Sequence, residues 1–419
     1  MAYYVGVILT NSKGKLVRIA VPNNILALDS ILPDEPLLMM GAGPVPIPAK
    51  VAAANGIVIN HLGDTMAQII EQVKVMSRYV FQTEDGHILG VAGPGSAAME
   101  MAVVNLVVPG SKVLSVCNGF FSNRLAQMAQ RVGADVVMLN IHNEQSAKVS
   151  EVEQYIIQHQ PQVLTIVQGE TSNTVCNTEL AAIAAIAKQH HCLVIVDAVC
   201  TLSTMAFEMD EWGIDAVITG GQKGLSCIPG ISLVGFSAKA WQHIEARKDQ
   251  LKHWCLDAKL ADQFWYKKSY HYTAPVSGIL AIHEALRLVC NETLSLRFDR
   301  HLRCSEALQA GIEAMGLGLY ITPPSRLNSV VGITMPADIN SKALLSTMSQ
   351  RFKVEISGSF GPNIVRIGQM GEQCRAHNLF RTLHAFGASF NILGLKLDLP
   401  AGMAALEGVL NKYHFSEGL

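Results

Sequence analysis

The stretch Cys192-Leu-Val-Ile-Val-Asp197 is an apolar run that ends in a carboxylate. A short continuous apolar run without polar alternation is typical of a strand buried on both faces of a parallel sheet. An acidic residue at the carboxyl end of such a strand lies at the sheet edge where ligands bind. Because a buried, unpaired carboxylate is unfavourable, we expect Asp197 to face a cationic or hydrogen-bond-donating group. The alternative is that Asp197 caps the turn that follows it.

Similar apolar runs lie on both sides of this strand, with helical patterns between them. The predicted strands are 88–92, 112–116, 163–167, 192–197 and 216–219, and the predicted helices are 96–107, 122–132 and 179–190. This alternation predicts an α/β fold in which helices cover both faces of a mainly parallel sheet.

The two ends of the chain have different patterns. Two strand-like segments at 3–10 and 15–21 flank a turn and predict an N-terminal hairpin. Near residue 290 the pattern changes. A long helical stretch is predicted at 276–314. It is followed by short segments of mixed type, with predicted strands at 329–335, 354–357 and 364–368 and a predicted helix at 341–352. We therefore expect an N-terminal arm at 1–36, a large domain at 37–290 and a smaller α+β domain at 291–419.

A lysine follows the strand predicted after Asp197, in Ile218-Thr-Gly-Gly-Gln-Lys223-Gly. It lies in a glycine-rich turn with apolar sequence on both sides. Burial lowers the pKa of a lysine and makes its amine a good nucleophile for a Schiff base, and a solvated loop lysine is the alternative. The separation of 26 residues from Asp197 leaves room for one crossover and one strand, which predicts both side chains at one edge of the sheet.

A glycine-rich turn, Gly93-Pro-Gly-Ser-Ala-Ala98, joins the first predicted strand to the first predicted helix. Glycines let a phosphate approach the backbone, and the helix N-terminus offers free N–H groups. The turn also fits the dinucleotide-binding pattern, which requires an acidic residue after the next strand. That strand is followed by Cys117-Asn-Gly, without Asp or Glu. A phosphate of a mononucleotide or of a smaller cofactor is therefore favoured, and a plain tight turn is the alternative.

Charge and cysteine content narrow the class of protein. Lys plus Arg number 32 and Asp plus Glu 34, so the net charge is −2 and predicts no attraction to nucleic acid or to an anionic membrane. Mean hydropathy is +0.26, but the apolar runs are shorter than the roughly 20 residues that span a bilayer. The nine cysteines contain no Cys-x-x-Cys pair, which predicts reduced thiols in a cytoplasmic protein and no metal site. The N-terminus lacks the pattern of a secretory signal.

Several ordered motifs together resemble the class V aminotransferases, which are fold-type I enzymes that use pyridoxal 5'-phosphate (PLP). The resemblance is greatest to the alanine–glyoxylate and serine–pyruvate members and covers residues 37–395. The motifs are Gly41-x-Gly-Pro, Phe81-Gln-Thr, Asn118-Gly, Gly169-Glu-Thr-Ser-Asn-Thr-Val175, Asp197-Ala-Val, Gly221-Gln-Lys223, Tyr270-His-Tyr-Thr273 and Val365-Arg-Ile-Gly368.

The resemblance implies a role for each matching residue. Lys223 would hold PLP covalently, and Asp197 would keep its ring nitrogen protonated so that the ring acts as an electron sink. Arg366, with Gly43, would bind the substrate, its guanidinium taking the α-carboxylate through two parallel bonds; a surface arginine is the alternative. The remaining cofactor contacts would be Gly95, Ser96 and Gln222 at the phosphate, Phe121, Thr171 and Val199 around the ring, and Tyr270 and Thr273 reaching the phosphate of the partner subunit in a homodimer.

The implied function is transfer of an amino group from a small L-amino acid, alanine or serine, to a small 2-oxo acid, glyoxylate or pyruvate. The alternatives within the family are pyridoxamine–pyruvate, 2-aminoethylphosphonate and ureidoglycine–glyoxylate transamination, and a cysteine desulfurase is less favoured. A PLP-fold protein without catalysis is opposed by the presence of Lys223, Asp197 and Arg366 together. Two departures affect the site: Phe121 replaces a stacking tryptophan, and Gly221 replaces a serine that would offer a hydroxyl to the phosphate.

Overall fold

The computed structural model describes residues 23–414. The described residues 23–37 and 38–414 belong to two separate compact units. The predicted hairpin strands, 3–10 and 15–21, lie outside the described residues. Within 23–37 the chain makes one 3-10 turn at Leu28–Ser30, and the remainder of the described chain belongs to the second unit.

The strands of the second unit are numbered in chain order. They are β1 (Leu38–Met39), β2 (His87–Ala92), β3 (Lys112–Cys117), β4 (Asp135–Asn140), β5 (Val163–Val167), β6 (Gly169–Glu170), β7 (Val175–Cys176), β8 (Leu193–Asp197), β9 (Ala216–Ile218), β10 (Ile231–Phe236), β11 (Val330–Thr334), β12 (Val354–Glu355), β13 (Ser357–Gly358) and β14 (Ile364–Gly368).

The helices alternate with these strands in the first part of the unit and dominate the second. They are α1 (Ala49–Asn55), α2 (Asp64–Phe81), α3 (Gly95–Leu106), α4 (Phe120–Val132), α5 (Val149–His159), α6 (Leu180–Gln189), α7 (Met209–Trp212), α8 (Ala238–Ala246), α9 (Ala258–Trp265), α10 (Val276–Glu292), α11 (Leu294–Ala314), α12 (Ser341–Phe352), α13 (Ala376–Ile392) and α14 (Leu399–His414).

The central sheet has seven strands in the order β2-β10-β9-β8-β5-β3-β4. Neighbours from β9 to β4 pair in parallel, as the apolar runs predict. The buried residues of α6, Leu180, Ile183, Ala184 and Ala187, follow the spacing of one helix face, which explains why this segment forms a helix that covers the sheet. The predicted α/β fold, with a mainly parallel sheet, is confirmed.

One strand of the sheet runs against the others. Strand β10 lies between β2 and β9 and pairs antiparallel with both. Its sequence, Ile231-Ser-Leu-Val-Gly-Phe236, is buried throughout, but such a run carries no information about direction, and the sequence analysis did not predict it. The reversal is possible because only the short segment 219–230, which includes Lys223, connects β9 to β10.

The second part of the unit has its own sheet and core. Strands β11, β14 and β13 form an antiparallel sheet, and β12 pairs instead with β1. One large apolar cluster extends from Val51 to Leu294, and another joins Met40 to residues 304–410. We propose that residues 37–290 and 291–419 are the large and the small domain, although β1 and Met40 pack with the second cluster.

Two sequence predictions in this region need correction. The helical stretch 276–314 is two helices, α10 and α11, because Thr293 has φ +70° and its side chain caps the second helix by accepting a hydrogen bond from the Leu296 N–H. The segment 354–357 is not one strand, since β12 and β13 belong to different sheets. Among the described residues no helix is long and apolar enough to cross a membrane.

Candidate active site

Lys223 and Asp197 lie at the same edge of the central sheet, as their spacing predicts. Strands β8 and β9 pair in parallel, with Asp197 opposite Ile218. Lys223 lies five residues after Ile218, and its Nζ donates a hydrogen bond to the carbonyl of Ala42. Burial lowers the pKa of Lys223, which favours the neutral amine that a Schiff base requires. The alternative of a solvated loop lysine is wrong.

Gly43 leaves room for this lysine. A Cβ atom at Gly43 would lie 2.7 Å from Lys223 Nζ and 2.8 Å from its Cδ. The φ of Gly43 is also +98°, a conformation that other residues rarely adopt. The segment that carries the predicted substrate contact therefore requires glycine for two independent reasons.

Asp197 is buried, and both sequence-based interpretations of it hold in part. Its Oδ1 accepts a hydrogen bond of 2.8 Å from the Val199 N–H, so one oxygen does cap the following turn. Burial nevertheless raises the pKa of this carboxyl to about 7, since that bond does not offset the loss of solvation. No ion pair involves Asp197 among the described residues, so the site has a carboxylate that a bound cation would stabilise.

The predicted phosphate contacts lie where strand β2 ends and helix α3 begins. Gly95 is the first residue of α3, and a Cβ there would lie 2.8 Å from Val199 Cγ2. Ser96 and Gln222 lie beside it in the same cavity. The Oε1 atom of Gln222 is buried and has no hydrogen-bond partner among the described residues. Because an amide oxygen accepts hydrogen bonds, a donor group belongs beside it, whereas the helix N-terminus supplies free N–H groups for an anion.

Phe121 is positioned by a glutamate that the sequence analysis did not assign. The buried Glu170 carboxylate accepts hydrogen bonds from the N–H groups of Phe121 and Ser122 at the start of helix α4 and from the Ser122 hydroxyl. A carboxylate at a helix N-terminus is favourable because it satisfies free N–H groups and faces the positive end of the dipole. The sequence contained one sign of this role, since Glu170 lies three residues after the apolar run of β5.

Arg366 lies on strand β14 and is 4% exposed, so the prediction that it is a site residue is favoured over a surface arginine. Its Nη1 donates to the Thr171 carbonyl at 2.6 Å and its Nε to the Gly358 carbonyl at 2.8 Å. Burial lowers the pKa of Arg366 to about 10, and its charge contributes to lowering the pKa of Lys223. The Phe360 ring centroid is 5.5 Å from the guanidinium carbon.

A cavity of about 420 Å³ joins most of these residues, within the range that binds small molecules and cofactors. The predicted residues that line it are Gly43, Gly95, Ser96, Phe121, Thr171, Asp197, Val199, Gln222 and Lys223. Arg366 is not among the lining residues, but it donates a hydrogen bond to the carbonyl of Thr171, which is. Tyr270 and Thr273 do not line it and are exposed on this chain. Five lining residues had not been predicted, namely Pro44, Met99, Arg124, Gly169 and Pro229.

A comparison with protein-family models decides which kind of site this is. The family model for class-V aminotransferases matches residues 50–382. The chain belongs to the class-V aminotransferases. This aminotransferase is 33% identical to the alanine–glyoxylate aminotransferase of Oryctolagus cuniculus, over 82% of its own length and 90% of the relative's.

Solved structures agree with this assignment. The ureidoglycine–glyoxylate aminotransferase of Bacillus subtilis superposes with a TM-score of 0.88 at 28% identity, covering 91% of this chain and 99% of that one. An alanine–glyoxylate aminotransferase from Nostoc sp. gives 0.85 at 30% identity, covering 89% and 100%. The protein therefore has the fold-type I architecture of a PLP-dependent aminotransferase, as the motifs indicated.

The residues of the cavity fit PLP. The cofactor carries an aldehyde, a ring nitrogen that becomes positive when protonated, and a phosphate. The cavity offers a lysine with a lowered pKa, a buried carboxylate without an ion pair, and the N-terminus of helix α3, which begins at Gly95. Each group of the cofactor thus has a counterpart of suitable chemistry on one wall of the same cavity.

Proposed function

We propose that this aminotransferase moves an amino group from alanine or serine to glyoxylate or pyruvate. Two of the relatives described above are named alanine–glyoxylate aminotransferases, at 33% and 30% identity. The observation that carries the proposal is the buried Arg366, because every amino-acid donor and every 2-oxo-acid acceptor has a carboxylate next to its reacting carbon. A guanidinium binds such a group through two parallel hydrogen bonds.

The position of Arg366 supports this role. The carbonyl groups of Thr171 and Gly358 hold Nη1 and Nε, which orients the planar guanidinium before any substrate arrives. Lys223 is near enough for the charge of Arg366 to affect its pKa. A carboxylate on Arg366 would therefore place the neighbouring substrate carbon toward the lysine amine, which is the orientation that proton transfer requires.

We assign the chemical steps to Lys223 and Asp197. When bound, PLP supplies an electron sink for the charge that develops at the substrate carbon. Lys223 would hold the cofactor, and its free amine would move the proton from the substrate carbon, first as a base and then as an acid. Asp197 would stabilise a protonated ring nitrogen, and its burial would strengthen that interaction because little water screens it.

The other predicted residues complete the proposed site. Phe121 stacks on the ring, Thr171 and Val199 contact it, and Gly95, Ser96 and Gln222 bind the phosphate. We also propose a homodimer in which Tyr270 and Thr273 reach the partner's phosphate. Their exposure on this chain, 59% for Tyr270, supports that proposal because a residue that serves a partner's site must lie at the surface of its own subunit.

One alternative donor has a specific observation in its favour. The ureidoglycine–glyoxylate aminotransferase gives the TM-score of 0.88, so the same acceptor with a different donor is our second candidate. Pyridoxamine–pyruvate and 2-aminoethylphosphonate transamination use amines without a carboxylate and leave Arg366 to the acceptor alone. Cysteine desulfuration is opposed by Cys374, which is fully buried with its Sγ 3.5 Å from Gln369 Oε1 and cannot act as a mobile nucleophile.

We propose the cytoplasm as the compartment. All nine cysteines are unpaired in the structure, and seven of them are buried. Unpaired thiols are typical of proteins that work in a reducing environment. Burial raises the pKa of most of these thiols, for example Cys192 to about 12, so they act as small core residues and not as nucleophiles.

The substrate proposal is tested by a matrix of donors and acceptors. The holoenzyme is incubated with alanine, serine, ureidoglycine, pyridoxamine or 2-aminoethylphosphonate, each with isotope-labelled glyoxylate and with isotope-labelled pyruvate, and the labelled amino acid that forms is quantified by mass spectrometry. We expect alanine or serine to give the highest kcat/KM with glyoxylate. Turnover of ureidoglycine, or of an amine that lacks a carboxylate, at a higher kcat/KM would replace the proposal with the corresponding alternative.

A further inference from the structure

Arg124 lines the cofactor cavity, and the roles proposed above do not include it. It lies on helix α4, and its Nη1 donates a hydrogen bond of 2.7 Å to Ser96 Oγ. Lys223 and Arg124 are the two cationic side chains in the lining of this cavity as the described residues form it. Because Lys223 is assigned to the carbonyl group of the cofactor, Arg124 is the cation left for another ligand group.

The surroundings hold the charge of Arg124 at the cavity, where it acts on Asp197 from a distance without forming an ion pair with it. The guanidinium carbon is 5.0 Å from the Phe121 ring centroid and 4.9 Å from that of Phe120, which are distances of cation–π contact. Among the described residues, Arg124 forms no ion pair with a carboxylate. A charged group fixed by aromatic rings and one hydroxyl, and facing a cavity, is expected to pair with an anion.

The position of Arg124 decides which anion. Ser96 is the second residue of α3, a helix of 12 residues whose first two residues line the cavity together with Gln222. The helix dipole and the guanidinium add at this point. A phosphate carries close to two negative charges at neutral pH.

We propose that Arg124 binds the phosphate of PLP, with Ser96 and the two phenylalanine rings holding the guanidinium in place. The proposal rests on PLP as the cofactor and on the phosphate position at Gly95 and Ser96, but not on the choice of substrates. A guanidinium forms shorter and stronger hydrogen bonds with phosphate than a neutral donor does. Arg124 is thus the principal charged contact that this subunit makes with the cofactor phosphate.

The test compares two cofactor forms that differ only in the phosphate. The full-length apoprotein of the wild type and of Arg124→Gln is titrated with PLP and with pyridoxal, and binding is followed by absorbance. We expect Arg124→Gln to weaken PLP binding by about 10- to 100-fold, the range for a lost hydrogen bond to a charged group, and to leave pyridoxal binding within about twofold. Inorganic phosphate should compete with PLP in the wild type and less in the variant.

Two further variants keep the test decisive. Arg131→Gln removes an exposed arginine from the last turn of the same helix and should leave both affinities unchanged. Arg124→Lys retains the charge without the fork and should give an intermediate loss that is again confined to PLP; it also serves if Arg124→Gln melts at a much lower temperature. Equal losses for PLP and pyridoxal would overturn the proposal in favour of a structural role. Unchanged PLP affinity with a raised KM for a dicarboxylic amino acid would assign Arg124 to the substrate instead.

Discussion

Two regions of the cavity are built in different ways. The cofactor edge, defined here as Asp197, Lys223 and Gly95, follows from strands that end side by side in one sheet. The carboxylate clamp, defined as Arg366, Thr171 and Gly358, joins strand β14 to a loop 195 residues earlier in the chain. The first region depends on sheet register, whereas the second depends on how the β14 sheet meets the loop that follows β5. We therefore expect substitutions elsewhere in the chain to disturb the geometry of the cofactor edge less than that of the carboxylate clamp.

One buried network connects both regions. Glu292 accepts hydrogen bonds from Arg297 at 2.7 Å and from Arg300 at 2.9 Å. Arg297 also donates to the Gly224 carbonyl, next to Lys223, and Arg300 donates to the Gly371 carbonyl, beyond the strand of Arg366. Burial tends to raise the pKa of Glu292, but the hydrogen bonds from both arginines bring it to about 2. Helix α11 thus links the loops at the cofactor edge and at the carboxylate clamp.

The largest expected effect is at the cofactor edge itself. Lys223→Ala removes the amine that holds the cofactor and moves the proton, so transamination should fall on the order of 10⁴-fold or more. Lys252→Ala, at an exposed lysine, is the control and should be fully active. Borohydride reduction followed by peptide mass spectrometry should place the PLP label on Lys223 in the wild type. A label on another lysine would contradict the assignment.

The next effect tests the link between the regions. Glu292→Gln leaves two buried arginines without a charged partner and should lower the free energy of unfolding by about 3–5 kcal/mol. Glu313→Gln on the same helix breaks the more exposed pair with Arg326 and should change it by less than about 1 kcal/mol. Denaturant unfolding of both holoenzymes measures the difference. Equal effects would mean that the buried network does not connect the two regions energetically.

Asp197→Asn tests the catalytic role of the cofactor edge in a protein whose fold should be unchanged. The amide keeps the size of the side chain but cannot stabilise a protonated ring nitrogen, so kcat should fall about a thousandfold, roughly 4 kcal/mol of barrier. Since the Val199 N–H can still bond to the amide oxygen, the melting temperature should stay close to that of the wild type. Near-normal turnover would refute the role of Asp197 as the counter-ion of the ring.

A smaller effect is expected at the carboxylate clamp. Arg366→Lys retains the charge but loses the bidentate geometry, so kcat/KM for alanine and for glyoxylate should each fall by a similar factor, about 10- to 100-fold. The visible spectrum of the resting enzyme should remain, because Arg366 does not line the cofactor cavity. Loss of the cofactor in this variant would mean that Arg366 helps to bind the cofactor and is not only a substrate contact.

The smallest effect concerns pH and the apoprotein. Burial raises the pKa of Asp197 from its ordinary value of 3.8 to about 7, so the folded state binds more protons than the unfolded state between these values. Apoprotein stability should therefore fall as the pH rises from about 4 to 7, and the fall should be absent in Asp197→Asn. We expect a change in melting temperature of a few degrees, measured by calorimetry. A parallel slope in both proteins would assign the pH dependence to other groups.

Sequence patterns alone predicted the features that depend on consecutive residues within one segment. The apolar runs predicted strands β2, β3, β5, β8 and β9, and the register of β8 with β9 then brings Asp197 and Lys223 together, as their spacing required. These predictions succeed because burial on both faces of a parallel sheet leaves an uninterrupted apolar run that is visible in the chain. The motifs supplied the family and the cofactor for the same reason, since each lies within a few consecutive residues.

Only the tertiary structure decided the direction of β10, the support of Phe121 by Glu170 and the place of Arg124 beside Ser96 in the cavity. Each depends on a contact between distant segments, such as the 48 residues between Ser122 and Glu170 or the 28 between Ser96 and Arg124. Nothing in a strand's own sequence states its direction, and nothing around an arginine on a helix states which hydroxyl it will meet. The packing of separate elements supplies that information, because hydrogen bonds and burial act between neighbours in space and not along the chain.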